Sequence, residues 1–235
     1  MLADRITRHL GNPRHGLWGW ILKMFFERNN RFLEAGAVKL CNIQPGNVVL
    51  ELGFGPGLGL QEAARRLTHP PGKLYGLDIS EYMHDVASER MRAEIQTGKV
   101  KLFVGSVEQI PLEDGVVDRV YHCNCYYFWP DLRVGSREIR RVMKPDVLDN
   151  ELASKAPNKP DYFLLLHWAG ALMVTALHLE LVQKMVAAGL LKGTKWQPEP
   201  YMEALLECGF VDVRMEDHQI NGEMFQAIFA AAKEA

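Results

Sequence analysis

The sequence has little of what marks several common protein classes. It contains four cysteines in 235 residues, Cys41, Cys123, Cys125 and Cys208, and none of them forms a C-x-x-C pair. Four scattered thiols are too few for a disulfide scaffold, so we expect a reducing compartment and no metal site. The formal net charge is only −2, which gives no general footprint for nucleic acid.

A membrane-spanning segment is also not predicted. The most apolar stretch, 163–177, is short and is interrupted by His167. The first five residues are polar and do not have the pattern of a secretory signal. We therefore expect a cytoplasmic protein without stable membrane insertion, although the arginines near the start leave a mitochondrial location open.

The most informative stretch is a glycine-rich turn after an apolar run. Residues 48–52 are apolar except for Glu51, and glycines then follow at alternate positions, Gly53, Gly55 and Gly57. This pattern predicts a buried strand, a tight turn and a helix that begins near Leu58. Because glycine has no Cβ, a ligand can approach the backbone, and the helix N-terminus offers free N–H groups. We expect the turn to bind the polar part of a nucleotide-like ligand.

Two common nucleotide motifs are missing from this turn. The dinucleotide fingerprint G-x-G-x-x-G fails, because the sixth position is Leu58 counted from Gly53 and Leu60 counted from Gly55. The sequence also has no G-K-[ST] phosphate loop. A nicotinamide-dependent oxidoreductase is therefore not favoured, while a glycine-rich turn without any ligand remains an alternative.

The rest of the chain alternates between strand and helix patterns. Alternation of this kind predicts an α/β fold, a doubly wound, seven-stranded and mostly parallel sheet with right-handed crossovers. Asn221-Gly222 predicts a closing hairpin between strands at 210–216 and 224–231, and the polar, proline-bearing residues 146–160 predict an exposed excursion. The remaining predicted strands are 48–52, 73–77, 100–104, 118–123 and 162–166, and the predicted helices are 58–67, 81–96, 133–143, 172–191 and 198–208.

An acid at the end of the second strand is a candidate ligand for a ribose. Asp78 follows Gly57 by 21 residues, and a carboxylate there can accept two hydrogen bonds from ribose hydroxyls. Ile79 would then lie against the adenine. The alternative is that Asp78 only caps the following helix, a role that Ser80 can also fill.

The pattern E-x-G-x-G-x-G from Glu51 to Gly57 resembles motif I of the class I S-adenosylmethionine (SAM) methyltransferases. Over residues 12–230 the chain is similar to their small-molecule branch, the ubiquinone/menaquinone-type enzymes. The resemblance implies SAM as cofactor and S-adenosylhomocysteine as product. It places Ser106 and Val107 at the adenine edge, with serine where the family usually has an acid, and Asn124 near the methionine end.

We predict a single domain over residues 1–235. Residues 1–45 form a helical cap and 168–197 a lid, because both segments lie outside the predicted sheet and carry large apolar side chains. The predicted function is methyl transfer to a small, apolar acceptor. No particular base is required, but His167, His178 and Tyr127 are candidates.

The departure at Lys144-Pro145-Asp146-Val147, where the family usually reads Lys-Pro-Gly-Gly, leaves a second hypothesis. In that hypothesis the chain is a weak or inactive SAM-binding regulatory or partner protein.

Overall fold

A computed structural model describes residues 7, 9–145, 171–191 and 196–232. Its centre is a seven-stranded sheet in the order β3-β2-β1-β4-β5-β7-β6. The strands are β1 (Val48–Leu52), β2 (Lys73–Asp78), β3 (Val100–Val104), β4 (Arg119–Cys123), β5 (Leu172–Leu177), β6 (Phe210–Ile220) and β7 (Glu223–Ala232).

Helices cover both faces of the sheet. They are α1 (Leu17–Asn29), α2 (Arg31–Leu40), α3 (Leu58–Arg66), α4 (Glu81–Arg90), α5 (Arg92–Gln96), α6 (Leu132–Val142), α7 (Leu179–Ala187) and α8 (Pro198–Glu207). The helix predicted at 81–96 is thus divided in two at Met91. In the described part of the chain no helix is both long and apolar enough to cross a membrane.

Strands β1 to β5 pair in parallel, and β7 pairs antiparallel with β5 and β6. The predicted doubly wound α/β sheet is therefore confirmed. Apolar side chains of alternate residues in β1 enter two separate cores, one on each face of the sheet: Leu50 and Leu52 in one, Val49 in the other. Alternation along each strand explains this division.

The hairpin at the sheet edge is confirmed. Asn221 and Gly222 both have positive φ, 52° and 88°, between β6 and β7. Two left-handed residues match the right-handed twist of the flanking strands, which is why Asn-Gly was informative.

The prediction for the fifth strand is wrong. Leu172–Leu177, predicted as the start of a helix and as part of the 168–197 lid, is the strand β5 between β4 and β7. All six of its residues are buried, because both faces of the strand are covered. A continuous apolar run without alternation does not distinguish such a strand from a buried helix. The predicted strand at 162–166, the excursion at 146–160 and His167 lie outside the described residues.

Candidate cofactor site

The glycine turn after β1 has the backbone that only glycine adopts easily. Gly53, Gly55 and Gly57 have φ of 65°, 49° and 81°, and such angles are costly for residues with a Cβ. A Cβ on Gly53 would lie 2.9 Å from the Cβ of Cys125, whereas one on Gly55 would point into open space. The turn is therefore shaped so that its Gly55 face can be approached closely.

Asp78 holds the turn from the end of the neighbouring strand. Its Oδ2 accepts a hydrogen bond from the Gly55 amide at 2.8 Å, and its Oδ1 accepts from the Ser80 amide at 2.8 Å. Burial raises the pKa of Asp78 to about 6, although these amide donors oppose the rise. Ser80, whose Oγ accepts from the Met83 amide, caps α4. Asp78 is thus free of that role, and its oxygens keep lone pairs for further donors.

A cavity of about 450 Å³ lies above the carboxyl ends of the strands. We call the strand-end residues that line it the floor: Gly53, Gly55, Asp78, Ser106 and Asn124. Ile79, Val107 and Tyr127 also line it. Of the predicted site residues in the described part of the chain, Glu51, Gly57 and His178 do not line the cavity.

Ser106 occupies the floor at the end of β3. Its Oγ accepts a hydrogen bond from the Glu108 amide at 3.2 Å, which is long for a neutral acceptor. Glu108 itself turns away and accepts from the Asp131 amide at 2.9 Å. The hydroxyl of Ser106 therefore remains a weak polar group in this wall.

Asn124 connects the ends of β4 and β5. It has a positive φ of 48°. Its amide donates to the Ala176 carbonyl at 3.0 Å, and its Oδ1 accepts from the His178 amide at 3.0 Å. The His178 ring packs edge-on against Phe32, with ring centroids 5.0 Å apart. His178 is therefore fixed beside the cavity without lining it.

Of the two predicted base candidates in the described part of the chain, Tyr127 lines the cavity and His178 does not. Burial raises the pKa of its phenol far above the ordinary value, so the group is neutral at physiological pH. Beneath it, the Nε2 atom of His122 lies 2.8 Å from both the Tyr201 hydroxyl and the Thr175 hydroxyl. Burial lowers the pKa of His122 to about 3, so this imidazole is neutral and structural.

A second set of lining residues comes from the N-terminal segments and α7 and was only partly predicted. Its apolar members, which we call the roof, are Leu10, Phe25, Phe26, Leu181 and Met185, while Thr7, Asn12, Asn30 and Glu34 are polar members of the same set. Leu10, Phe25 and Phe26 belong to the N-terminal segment that was predicted to cover the cavity. The other two roof residues come from α7, which follows β5 directly and so returns over the strand ends.

Two glutamates, Glu51 and Glu34, lie beside the floor. The sequence indicated Glu51 as a site residue but not Glu34. Glu51 is 1% exposed and accepts from the Tyr121 hydroxyl at 2.7 Å. Glu34 of α2 is 7% exposed and lines the cavity. An acid in a helix is normally solvent-exposed, so the signal was weak. Its apolar surroundings in 32–38 were the available clue. Among the described residues, no group of three or more metal-binding side chains forms a metal site.

Comparison with known proteins relates this chain to methyltransferases. Residues 49–146 match a family model described as a methyltransferase domain. The uncharacterized methyltransferase YdaC of Bacillus subtilis is 34% identical over 116 residues, 49% of this chain and 61% of YdaC. The demethylmenaquinone methyltransferase of Geobacillus kaustophilus is 28% identical over 200 residues, 82% of each chain. The chain thus spans less than two thirds of YdaC.

The fold comparison agrees with the sequence matches. The putative methyltransferase of Haloferax volcanii, solved with the Trm112 methyltransferase activator, superposes with a TM-score of 0.68 at 17% identity, covering 98% of this chain and 99% of that one. A SAM-dependent methyltransferase from Aquifex aeolicus gives a TM-score of 0.57 at 18% identity, covering 97% of both chains.

The residues present fit SAM. Gly55 leaves open the space that a Cβ would fill, buried Asp78 presents carboxylate oxygens beside it, and Glu34 Oε2 is buried without a hydrogen-bond partner in the described part of the chain. These groups suit a ligand with hydroxyls at one end and a cation at the other. With the methyltransferase domain matched at residues 49–146, the glycine motif and the sheet order, they support a class I SAM-dependent methyltransferase.

Proposed function

We propose that the protein transfers the methyl group of SAM to a small, largely apolar acceptor. The observation that carries this proposal is a single cavity that combines polar groups at the strand ends with large apolar side chains from the N-terminal segments and α7. A pocket with a few fixed polar groups and otherwise apolar walls is typical of small-molecule sites. A relative that methylates demethylmenaquinone, as its name states, supports an acceptor of this kind.

The residues of the chain would act mainly by binding and orientation. Asp78 and the Gly53–Gly55 backbone would hold the ribose and the methionyl part, with Ser106 and Val107 at the adenine. Bound SAM supplies a methyl group on a sulfonium, which is already a good leaving system. Alignment of the acceptor and exclusion of water are then the principal requirements.

The roof would perform both tasks for an apolar acceptor. Phe25 and Phe26 of α1, together with Leu181 and Met185 of α7, line the same cavity as the floor residues. Tyr127 would contribute the face of a neutral ring, which attracts a sulfonium without competing as a nucleophile. The proposal does not need an ionised base in this wall.

The test is a SAM-dependent turnover assay that detects S-adenosylhomocysteine. The acceptor panel should contain quinols, phenols, apolar amines and short prenyl compounds, with tRNA and a protein mixture as separate arms. We expect turnover in an apolar small-molecule arm. Turnover confined to the tRNA or protein arm would contradict the proposed acceptor class.

A second candidate is a SAM-binding partner protein with little or no activity alone. It is favoured by one observation, namely that a structural neighbour covering nearly the whole chain was solved in complex with an activator. SAM binding without turnover in any arm would support this candidate over the first.

A further inference from the structure

The carboxyl groups of Glu34 and Glu51 converge at the edge of the cavity. A Cβ placed on Gly59 of α3 would lie 2.8 Å from Glu34 Oε2 and still closer to Glu51 Oε1. Only a glycine in the first turn of α3 leaves room for both groups. The two acids therefore occupy a space that the backbone of α3 leaves open.

The polar atoms of this pair are unequally satisfied. Glu51 accepts from the Tyr121 hydroxyl at 2.7 Å. In the described part of the chain, Glu34 has, in contrast, only the Cys123 thiol and the other acid, Glu51, as hydrogen-bonding neighbours. Its Oε2 is buried without a partner of its own among the described residues, and Glu34 lines the cavity. A buried carboxyl oxygen without a donor is costly. A ligand that brings a donor would remove that cost.

The order of the strands indicates which part of a ligand reaches Glu34. Ser106 lies at the end of β3, Asp78 at the end of β2, and Gly53 follows β1, with β4 next in the sheet. If SAM lies with its adenine at β3 and its ribose at β2, its methionyl part reaches β1 and β4. Glu34 is next to those two strands, beside Glu51 of β1 and Cys123 of β4.

We propose that Glu34, supported by Glu51, binds the α-ammonium group of SAM and of S-adenosylhomocysteine. This inference rests on the proposed function, because it assigns one part of the same ligand. It also assigns a role to α2: the helix would carry a cofactor ligand in addition to packing on the sheet.

The proposal has a consequence for protons. Burial raises the pKa of Glu34 to about 7, and it raises the pKa of Glu51 well above its usual range. Of the other titratable groups that act on the pair, Tyr121, Cys123 and Cys125 are neutral because burial also raises their pKa values. Asp78 acts on Glu51 as well, and burial raises its pKa to about 6. A cation beside Glu34 favours its ionised form and lowers its pKa. Binding should then release a proton, and affinity should rise as the pH increases through about 7.

The experiment is titration calorimetry at pH 6.5 in two buffers with different ionisation enthalpies, which counts the protons exchanged. The ligands are SAM, S-adenosylhomocysteine and 5′-methylthioadenosine. S-Adenosylhomocysteine lacks the sulfonium charge. 5′-Methylthioadenosine lacks the sulfonium charge and the whole amino-acid part, including the ammonium group. We expect 5′-methylthioadenosine to release at most about a quarter of a proton, from Asp78 beside the ribose. SAM and S-adenosylhomocysteine should each release roughly half a proton or more in addition, from Glu34.

Variants sharpen the result. Glu34→Gln should abolish the additional release and weaken S-adenosylhomocysteine by about tenfold at pH 8, with little effect at pH 6. Glu62→Gln, on the outer side of α3 and bonded to Arg65, should behave like the wild type. The wild-type proton count does not depend on how the variants fold.

The outcomes separate the two proposals. Binding of S-adenosylhomocysteine without more proton release than 5′-methylthioadenosine, or such additional release by SAM alone, would overturn the assignment of Glu34 and leave the proposed function in place. Failure of both SAM and S-adenosylhomocysteine to bind would overturn the proposed function together with this inference.

Discussion

The floor and the roof of the cavity are built in different ways. Every floor residue lies at the end of a strand of the parallel sheet or within three residues of it. Backbone hydrogen bonds fix these strand ends: Gly53 donates to Leu77, and Gly105, next to Ser106, donates to Asp78. The roof comes from the N-terminal segments and α7, which meet the sheet through side-chain packing. Polar recognition needs fixed geometry and apolar enclosure needs volume and shape. One side can therefore hold a shared cofactor while the other adapts to a particular acceptor.

The largest effect on SAM binding is expected from removing the Asp78 carboxylate of the floor. Asp78→Ala deletes a group that accepts from Gly55 and is proposed to accept from ribose hydroxyls. We expect SAM to bind more weakly by about 2–4 kcal/mol, or roughly 30- to 1000-fold. Titration calorimetry measures the affinity, and thermal melting reports whether the variant folds.

Asp85→Ala provides the matched control, because Asp85 is exposed on α4 and contacts the surface residue His15. It should bind SAM like the wild type. Unchanged affinity in a folded Asp78→Ala variant would show that the floor does not hold the cofactor through this acid.

A second test separates backbone strain from cofactor contact. Gly55→Ala and Gly209→Ala each place a Cβ at positive φ, 49° and 85°, with open space around it. Both should cost about 1–2 kcal/mol of folding free energy. Only Gly55→Ala should also weaken SAM, by about tenfold, because its Cβ enters the proposed site.

Chemical denaturation measures the folding free energy of the two variants, and calorimetry measures their affinity for SAM. Equal SAM affinities in the two variants would mean that the glycine turn serves folding alone, and the argument from the open space at Gly55 would fail.

A substitution in the roof is expected to change the binding of the acceptor and not the binding of SAM. Leu181→Ala shortens a side chain of α7 that lines the cavity. We expect the KM for an apolar acceptor to rise about three- to tenfold, which corresponds to about 0.6–1.4 kcal/mol of apolar contact, while the KM for SAM stays constant. Leu206→Ala, at an exposed leucine of α8, should change neither constant. A rise in the KM for SAM alone would show that α7 contributes to the binding of SAM and not to that of the acceptor.

The same difference explains what could be predicted from the sequence. Strands β1 to β4 and Asp78 were predicted to within a residue or two, because each apolar run ends in residues that chemistry constrains. The hairpin followed from the left-handed preference of Asn221-Gly222. β5 was not recognised, because its six buried residues reflect neighbours on both faces, which its own sequence does not encode. Glu34 was missed for the same reason: its burial depends on α3 and β4 packing against it.

The smallest expected effect concerns the adenine end of the floor. Ser106 occupies the position where the resemblance expects an acid, and its hydroxyl accepts only one long hydrogen bond, from the Glu108 amide. Ser106→Asp keeps an acceptor for that amide and adds a charged oxygen toward the adenine amine. A charge-assisted hydrogen bond is roughly twice as strong as a neutral one, so SAM should bind more tightly by about 1 kcal/mol, or about fivefold. Glu108 does not oppose the new charge directly, because its carboxylate is bonded to the Asp131 amide.

Ser106→Ala should weaken SAM binding by less than about threefold, since it removes only a weak acceptor. Calorimetric titrations of the two variants against the wild type decide the matter. A weaker SAM affinity for Ser106→Asp would mean that the adenine amine is not at this strand end, and the proposed orientation across β3, β2 and β1 would have to be reversed.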